Sequence, residues 1–301
     1  MVSAVSGVGT HRIVGAVPCP AVSLFQAFVL GLVQGLSEFL PISSSGHLIL
    51  VPWLFGWDTF EGAENADELK KAFDVSLHAG TLVAVVAYFR RDIVTYVREG
   101  LRLVISRERP TTPEGRVAWL LVVATVPAAL VGAAFEEQID TALGEPWIIA
   151  VSLIGFGILL WWADQRMGQR TIDDMRLGDA LKIGAAQALA LNPGTSRSGI
   201  TITAARHIGF ERDAAARISF LMSLPVITGA VVLKMGRLVL DGIPDGMLGA
   251  MVVGIITSGI SGWLAVWGTL RLIRTRSFAP FVVYRIVVGV AVLVILATPW
   301  R

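Results

Sequence analysis

Six predominantly apolar runs, each close to the length an α-helix needs to cross a bilayer, set what this chain can fold into. They begin near residues 73, 117, 147, 214, 247 and 278. A hydrocarbon core takes about 17–25 helical residues to span. The remaining apolar runs, among them Ala21–Ser37, Leu48–Phe55 and Ala180–Leu191, are shorter or interrupted, and they form two pairs. One pair flanks Pro41-Ile-Ser-Ser-Ser-Gly46; the other flanks Pro193-Gly-Thr-Ser-Arg-Ser-Gly199. Composition agrees with a membrane protein. Charged residues make up only 16%, against about 25% in soluble domains, and the mean hydropathy is +0.68. That excludes a disordered chain and argues against a water-soluble enzyme. A net charge of +2 gives no reason to expect a nucleic-acid partner. Cys19 is the single cysteine, which excludes an intrachain disulfide and a thiolate metal cage.

Arg and Lys choose the topology. Seven Arg fall in 90–116, three in the turn 271–276, and Arg166, Arg170, Arg176 and Lys182 in 164–182. The loop 136–146 holds Glu136, Glu137, Asp140 and Glu145 and no basic residue. If each broken pair crossed the membrane once, the basic turn 271–276 would lie outside, against the positive-inside rule. If each pair enters and returns on one side, the basic segments 90–116, 164–182, 206–217 and 271–276 all lie inside. The expected fold is therefore all-α and polytopic, with six transmembrane helices, two re-entrant helix-loop-helix hairpins and both termini outside. Residues 1–20 read as a variable extension, and 21–301 as one membrane domain.

The two hairpins resemble each other. Gln34 precedes Gly46 by the same spacing as Gln187 precedes Gly199. With the topology above they enter from opposite sides, which makes an inverted repeat with halves at about 21–135 and 147–270 and a last span at 278–298. Broken helices in such repeats tend to meet near the midplane and build a site.

Those hairpins hold the chemistry. Glu38 and Gln34 are spaced i, i+4 and share a face, and an intramembrane carboxylate is costly and usually functional. Ser43, Ser44, Ser45, Gly46 and His47 follow; a Ser/Gly turn opening a helix offers N–H groups and hydroxyls to an anion. His47 suits acid–base work, or simply satisfies a helix start. Thr195, Ser196, Arg197, Ser198 and Thr201 form the second polar knot. Arg197 suits a phosphate, a salt bridge to Glu38 or another acid, or both. Asp74 and His78, i, i+4 at a helix start, are placed near the interface and facing water. Arg285, inside a span, is expected to pair with an acid or snorkel. His11 and His207 have no identifiable partner, and Asp173 and Asp174 read as solvated. No nucleotide-binding loop, HExxH or CxxC occurs. The residues alone suit hydrolysis of an anionic lipid head group.

Gly31-Leu-Val-Gln-Gly-Leu-Ser-Glu-Phe-Leu-Pro-Ile-Ser-Ser-Ser-Gly-His47 and Pro193-Gly-Thr-Ser-Arg-Ser-Gly-Ile-Thr201 closely resemble the two signature motifs of the bacterial undecaprenyl-diphosphate phosphatases, also called bacitracin-resistance proteins. The similarity runs from about residue 21 to the C-terminus and includes Pro280-Phe-Val-Val-Tyr-Arg285. It implies removal of the terminal phosphate of undecaprenyl diphosphate, regenerating the lipid carrier for peptidoglycan synthesis. It also implies a homodimer in the bacterial inner membrane with its site facing the periplasmic side, and a divalent cation, Mg²⁺ or Ca²⁺. By the same resemblance Ser44 is the nucleophile, His47 the acid–base residue taking its proton, and Arg197 the phosphate-binding residue. Glu38 orients His47 or holds the cation. Gln34, Ser43, Ser45, Gly46, Ser196, Ser198 and Thr201 are further substrate contacts. Some relatives carry Glu where this chain has Gln34, so a two-carboxylate cation site is weakened here. A direct attack by water, with Ser44 only a ligand, is the mechanistic variant.

Two competitors remain. Ser-Gly-His47 resembles part of the acid-phosphatase-like lipid phosphatase signature, but the upstream Lys…Arg-Pro motif is missing and position 203 is Thr203 rather than His. A polyprenyl-phosphate transporter or flippase would use the same inverted repeat.

Overall fold

The computed structural model describes residues 22–57, 59–60, 66–106, 112–243 and 246–299. The expected extension 1–20, with His11 and Cys19, lies outside them. Eleven α-helices follow in order among the described residues: α1 (Leu24–Phe39), α2 (Ser44–Phe55), α3 (Ala66–Tyr88), α4 (Arg90–Ser106), α5 (Pro113–Ala142), α6 (Pro146–Asp164), α7 (Leu177–Ala188), α8 (Arg197–His207), α9 (Arg212–Asp241), α10 (Met247–Ile273) and α11 (Ala279–Leu296). Their starts follow local chemistry. Ser23 and Gln26 close a capping box on α1, and Pro opens α5, α6 and α11. Gly56, at φ 60°, ends α2 in the left-handed region.

Five helices are long and apolar enough to cross a membrane: α5 over Pro113–Ala134, α6, α9 over Arg212–Gly236, α10 and α11. The sixth expected span is α3, which passes together with α4 across an 83° bend. The protein is thus an all-α, multi-pass membrane protein. Several expected loops are helical. The basic segment 90–116 contains α4, whose exposed Val94, Val97, Leu101 and Ile105 stand beside exposed Arg90, Arg91, Arg98 and Arg102. Such mixed side chains suit a helix lying in the membrane interface. Likewise α5 continues through the acidic segment as far as Ala142, and only 208–211 separate α8 from α9.

Small residues decide which helices touch. α10 is gripped between α1 and α3, where Gly31 and Gly35 of α1 face Gly254, Ser258 and Ser261, and Gly80 of α3 faces Ser258 and Gly259. A Cβ at Gly31 would lie 2.7 Å from the Gly254 carbonyl, and one at Gly35 2.7 Å from the Gly262 nitrogen. Only glycine permits this approach, as is usual where membrane helices pack closely. α7 packs on α5 in a similar way, with Gly184 against the Ala124 backbone. Each hairpin therefore leans on a span from the far half of the sequence. The ends of α6, α8, α9 and α11 are tied by buried Asp164, which accepts from Arg206 Nε (3.1 Å), Arg212 Nε (2.8 Å) and Phe278 N (3.0 Å).

Candidate active site

Ser43 and Ser196 make the two hairpin elbows alike. Both hold positive φ, at 80° and 73°, a conformation that costs a non-glycine residue about 1–3 kcal/mol. Each N-caps the returning helix. Ser43 Oγ accepts from Gly46 N (3.3 Å), and Ser196 Oγ from Gly199 N (3.0 Å). The elbows are clasped to each other. Gly194 N donates to Ser43 Oγ at 3.1 Å, and Ser198 Oγ donates to the Leu40 carbonyl at 3.0 Å. Gly194, at φ 93°, would drive a Cβ to 2.7 Å from the Ile149 carbonyl, so this close approach needs glycine.

Arg285 locks the pair from beneath. It is fully buried and donates to five backbone carbonyls: Leu153 (3.0 Å), Pro41 (3.2 Å), Ser152 (3.4 Å), Gly194 (2.9 Å) and Thr195 (3.0 Å). The expectation that it pairs with an acid or snorkels is corrected by this arrangement. Five carbonyl dipoles take the place of a carboxylate, and the side chain points inward between both elbows and α6.

Glu38 stands at the junction. Its Oε2 accepts from Ser44 Oγ at 2.6 Å and from Gln34 Nε2 at 3.0 Å, and its Oε1 accepts from Arg197 Nη2 at 2.8 Å. Both alternatives for Arg197 are therefore compatible: it pairs with Glu38 and remains 15% exposed. His78 also faces Glu38, with Nε2 3.6 Å from Oε2, instead of standing apart at a water-facing interface as its position suggested. Its Nδ1–H donates to the Asp74 carbonyl at 2.8 Å. The i, i+4 pair Asp74/His78 was a visible signal; its contact with α1 was not.

The polar residues of the elbows separate into two groups. Ser44 is half-buried, Ser45 is exposed, and Arg197 is partly accessible; these can meet a ligand without rearrangement. Ser43, Ser196, Ser198 and Thr201 are buried and engaged, Thr201 with Arg197 O, Ser198 O and Ser219 Oγ. The Gly46 N–H is likewise engaged by Ser43. His47 is brought to the same elbow but aimed elsewhere. Its Nδ1 lies 2.7 Å from Ser43 O and its Nε2 2.9 Å from Tyr284 OH, and it stacks on the Tyr284 ring. The side chain receiving the Ser44 hydroxyl proton in a hydrogen bond is Glu38.

No group of three or more His, Cys, Asp or Glu gathers among the described residues, and three donors already occupy the Glu38 oxygens. This donor set does not fit a resident divalent-cation cage. A cavity of about 570 Å³ opens from Arg197 between α5, α7 and α9, lined by Ala129, Gly132, Gln187, Leu191, Val226 and Gly229 among others.

Comparison with known proteins places this geometry in context. Residues 27–291 match the family described as bacitracin resistance protein BacA. An undecaprenyl-diphosphatase of Geobacter sulfurreducens is 48% identical over 272 residues, 90% of this chain and 97% of that protein. Proteins of the same name from Geobacter metallireducens (46% over 270 residues, 89% and 96%) and Moorella thermoacetica (45% over 275 residues, 91% and 98%) are similarly close.

Proposed function

The chain belongs to the bacitracin resistance protein BacA family, and from that premise we propose how its elbows carry out hydrolysis of undecaprenyl diphosphate. The protein is a multi-pass membrane hydrolase that converts undecaprenyl diphosphate to undecaprenyl phosphate and inorganic phosphate. In doing so it recycles the lipid carrier and confers resistance to bacitracin. The observation that carries the mechanism is the unbroken line Ser44–Glu38–Arg197, which joins the two elbows through hydrogen bonds of 2.6 and 2.8 Å.

Arg197 and the open N–H groups at the starts of α2 and α8 hold the diphosphate, where helix N-termini favour anions. Ser44 Oγ attacks the terminal phosphorus while its proton passes to Glu38 Oε2. The Oγ–P bond forms, the anhydride P–O bond breaks, and undecaprenyl phosphate departs. Water then cleaves the phosphoserine and Glu38 returns the proton. Arg197 neutralises the charge on the transferring phosphoryl group. In this assignment Glu38 is the base for Ser44. His47 holds the elbow through Ser43 and Tyr284 and reaches the proton path only if its ring turns. A divalent cation, Mg²⁺ or Ca²⁺, would enter on the diphosphate itself, as Mg²⁺ commonly does, and not through the already engaged Glu38.

The basic segments suit the inner side of the bacterial plasma membrane, which puts the first elbow within reach of the periplasmic side. A homodimer is part of the same reading. Phosphate release from undecaprenyl diphosphate by purified protein in detergent tests the activity; a transporter would bind the lipid and return it intact. Stopping the reaction with acid tests the covalent step. Labelled phosphate on Ser44 is expected, and a Ser44→Ala variant with near-normal turnover would eliminate it in favour of direct attack by water.

A further inference from the structure

We propose that the cavity between α5, α7 and α9 seats the first isoprene units of the substrate, and that Gln187 binds the phosphate that remains on the lipid. This rests on the hydrolysis reading above and adds to it a tail path and a phosphate ligand.

Gln187 gives the first reason. It is 3% exposed, lines the cavity, and neither its Nε2 nor its Oε1 has a partner. A buried amide left unpaired is costly, and such a group calls for an explanation in a bound ligand or water. The cause lies in the repeat. When the elbows are superposed in sequence on Ser43 and Ser196, Gln187 falls on Gln34 and Leu191 falls on Glu38. Gln34 donates to Glu38. Gln187 has Leu191 where that carboxylate would be, so its amide is left with open hydrogen-bonding capacity in a cavity that Arg197 also lines.

The walls give the second reason. Apart from Arg197, Gln187 and Thr125, the cavity is lined by small and aliphatic residues, chiefly Ala129, Gly132, Leu191 and Val226. A Cβ built on Gly229 meets nothing within 4 Å, and one on Gly132 meets only Leu191 methyl groups, the nearest at 3.5 Å. About 570 Å³ falls in the range that accommodates a drug-sized ligand, which corresponds to a few isoprene units. A cation and an unpaired amide among mainly apolar residues suit a prenyl diphosphate, which carries both a charged group and a tail, better than a free anion. A second apolar cavity, beside Tyr96, Trp119 and Leu221, includes no elbow residue and offers no anchor for a diphosphate.

The Gln187 amide Nε2–H would donate to an oxygen of the lipid-proximal phosphate while Arg197 and Ser44 engage the terminal one. The phosphate that leaves and the phosphate that stays would then be held by different residues.

The test compares hydrolysis of farnesyl diphosphate and dimethylallyl diphosphate by the wild type and by Gly229→Leu, Ala129→Leu and Gln187→Leu. Filling the cavity should lower the farnesyl-over-dimethylallyl ratio of kcat/KM about tenfold, the effect of losing contact with roughly two buried methylene groups. Gln187→Leu should raise KM for both substrates about tenfold with a smaller effect on kcat. Photolabelling the wild type with a benzophenone analogue of farnesyl diphosphate should mark α5 or α9, which gives a readout independent of turnover and of how the variants fold. A proportional loss on both substrates in Gly229→Leu and Ala129→Leu, or labelling confined to other helices, would overturn the tail path; an unchanged KM in Gln187→Leu would remove Gln187 from the phosphate site. If the wild type hydrolyses neither substrate nor undecaprenyl diphosphate, the hydrolysis reading itself fails and this inference goes with it.

Discussion

Arg285 is the residue whose removal should separate folding from chemistry most informatively. Arg285→Met keeps much of the side-chain volume and deletes every donor. Two of the five carbonyls, Ser152 and Leu153, lie inside α6 and retain helical partners. The other three, at Pro41, Gly194 and Thr195, belong to the elbows, where no helix supplies a replacement. Each stranded buried carbonyl costs about 1–3 kcal/mol, so the gross loss is roughly 3–9 kcal/mol. Relief of a buried cation offsets part of it, and a net loss of about 3 kcal/mol or more is expected. Arg285→Lys supplies three donors without the planar fork and should fall between the two. Membrane proteins in detergent commonly unfold irreversibly, so the measurement is the half-life of folded protein on heating, read from tryptophan fluorescence and gel filtration. Turnover at a temperature where the variant stays folded should fall at least tenfold, because displaced elbows misalign Ser44 against Arg197. An Arg285→Met enzyme with wild-type heat tolerance and kcat within threefold would refute the view that these carbonyls hold the site.

Three further outcomes follow from the same contacts. Arg197→Lys should reduce kcat about 10²–10³-fold, since a point charge cannot hold both Glu38 and a phosphate as a guanidinium does; steady-state kinetics on undecaprenyl diphosphate checks it. Gly35→Ala brings a Cβ within 2.7 Å of the Gly262 nitrogen, so α1 and α10 must part at a cost of about 1–3 kcal/mol. Detergent melting should show that loss, with a drop in kcat because α1 carries Glu38. Asp164→Asn leaves buried Arg206 without its carboxylate and should cost about 3–5 kcal/mol, visible as lost heat tolerance with KM little changed.

Much of this arrangement was legible in the residues, and the remainder failed for identifiable reasons. Hydropathy revealed the long spans because length and apolarity are one-dimensional properties. The Ser/Gly elbows were visible because a capping turn leaves a local signature in Ser43–Gly46 and Ser196–Gly199, although the positive φ of Ser43 and Ser196 was not. The Glu38–Arg197 pair was one of the alternatives held open, since an intramembrane carboxylate and an intramembrane guanidinium seek each other. What depends on helix-to-helix register was not legible. His78 reaches Glu38 because α3 packs directly on α1 as well as on α10. Tyr284 meets His47 across more than two hundred residues. Arg285 looked like half of an ion pair because a sequence displays carboxylates and conceals free backbone carbonyls. Arg content marked 90–116 as a basic loop but could not distinguish a loop from the helix α4 that the segment contains.

The repeat bears on why such a scaffold carries out chemistry. Superposed on their serine caps, the elbows place Ser44 where the other has Arg197, both as the first residue of a returning helix. Two arginines there would bind a diphosphate and offer no nucleophile; two serines would offer hydroxyls and no cation. The difference six residues earlier has the same sense. Glu38 gives one elbow a proton acceptor, whereas Leu191 gives the other an apolar wall facing the cavity. Here the duplicated backbone persists while the side chains that meet the ligand have diverged into nucleophile and base on one hairpin, and cation and lipid wall on the other. A nucleophile and its base opposed to a cation is the division of roles that cleaving a phosphoric anhydride calls for. Exchanging the two roles, with Ser44→Arg and Arg197→Ser in one chain, should therefore abolish turnover even if the elbows still fold, because Glu38 would then face a guanidinium from its own hairpin and no hydroxyl within reach. Recovery of phosphate release in that double variant would show that the pairing, and not its placement relative to Glu38, is what the reaction requires.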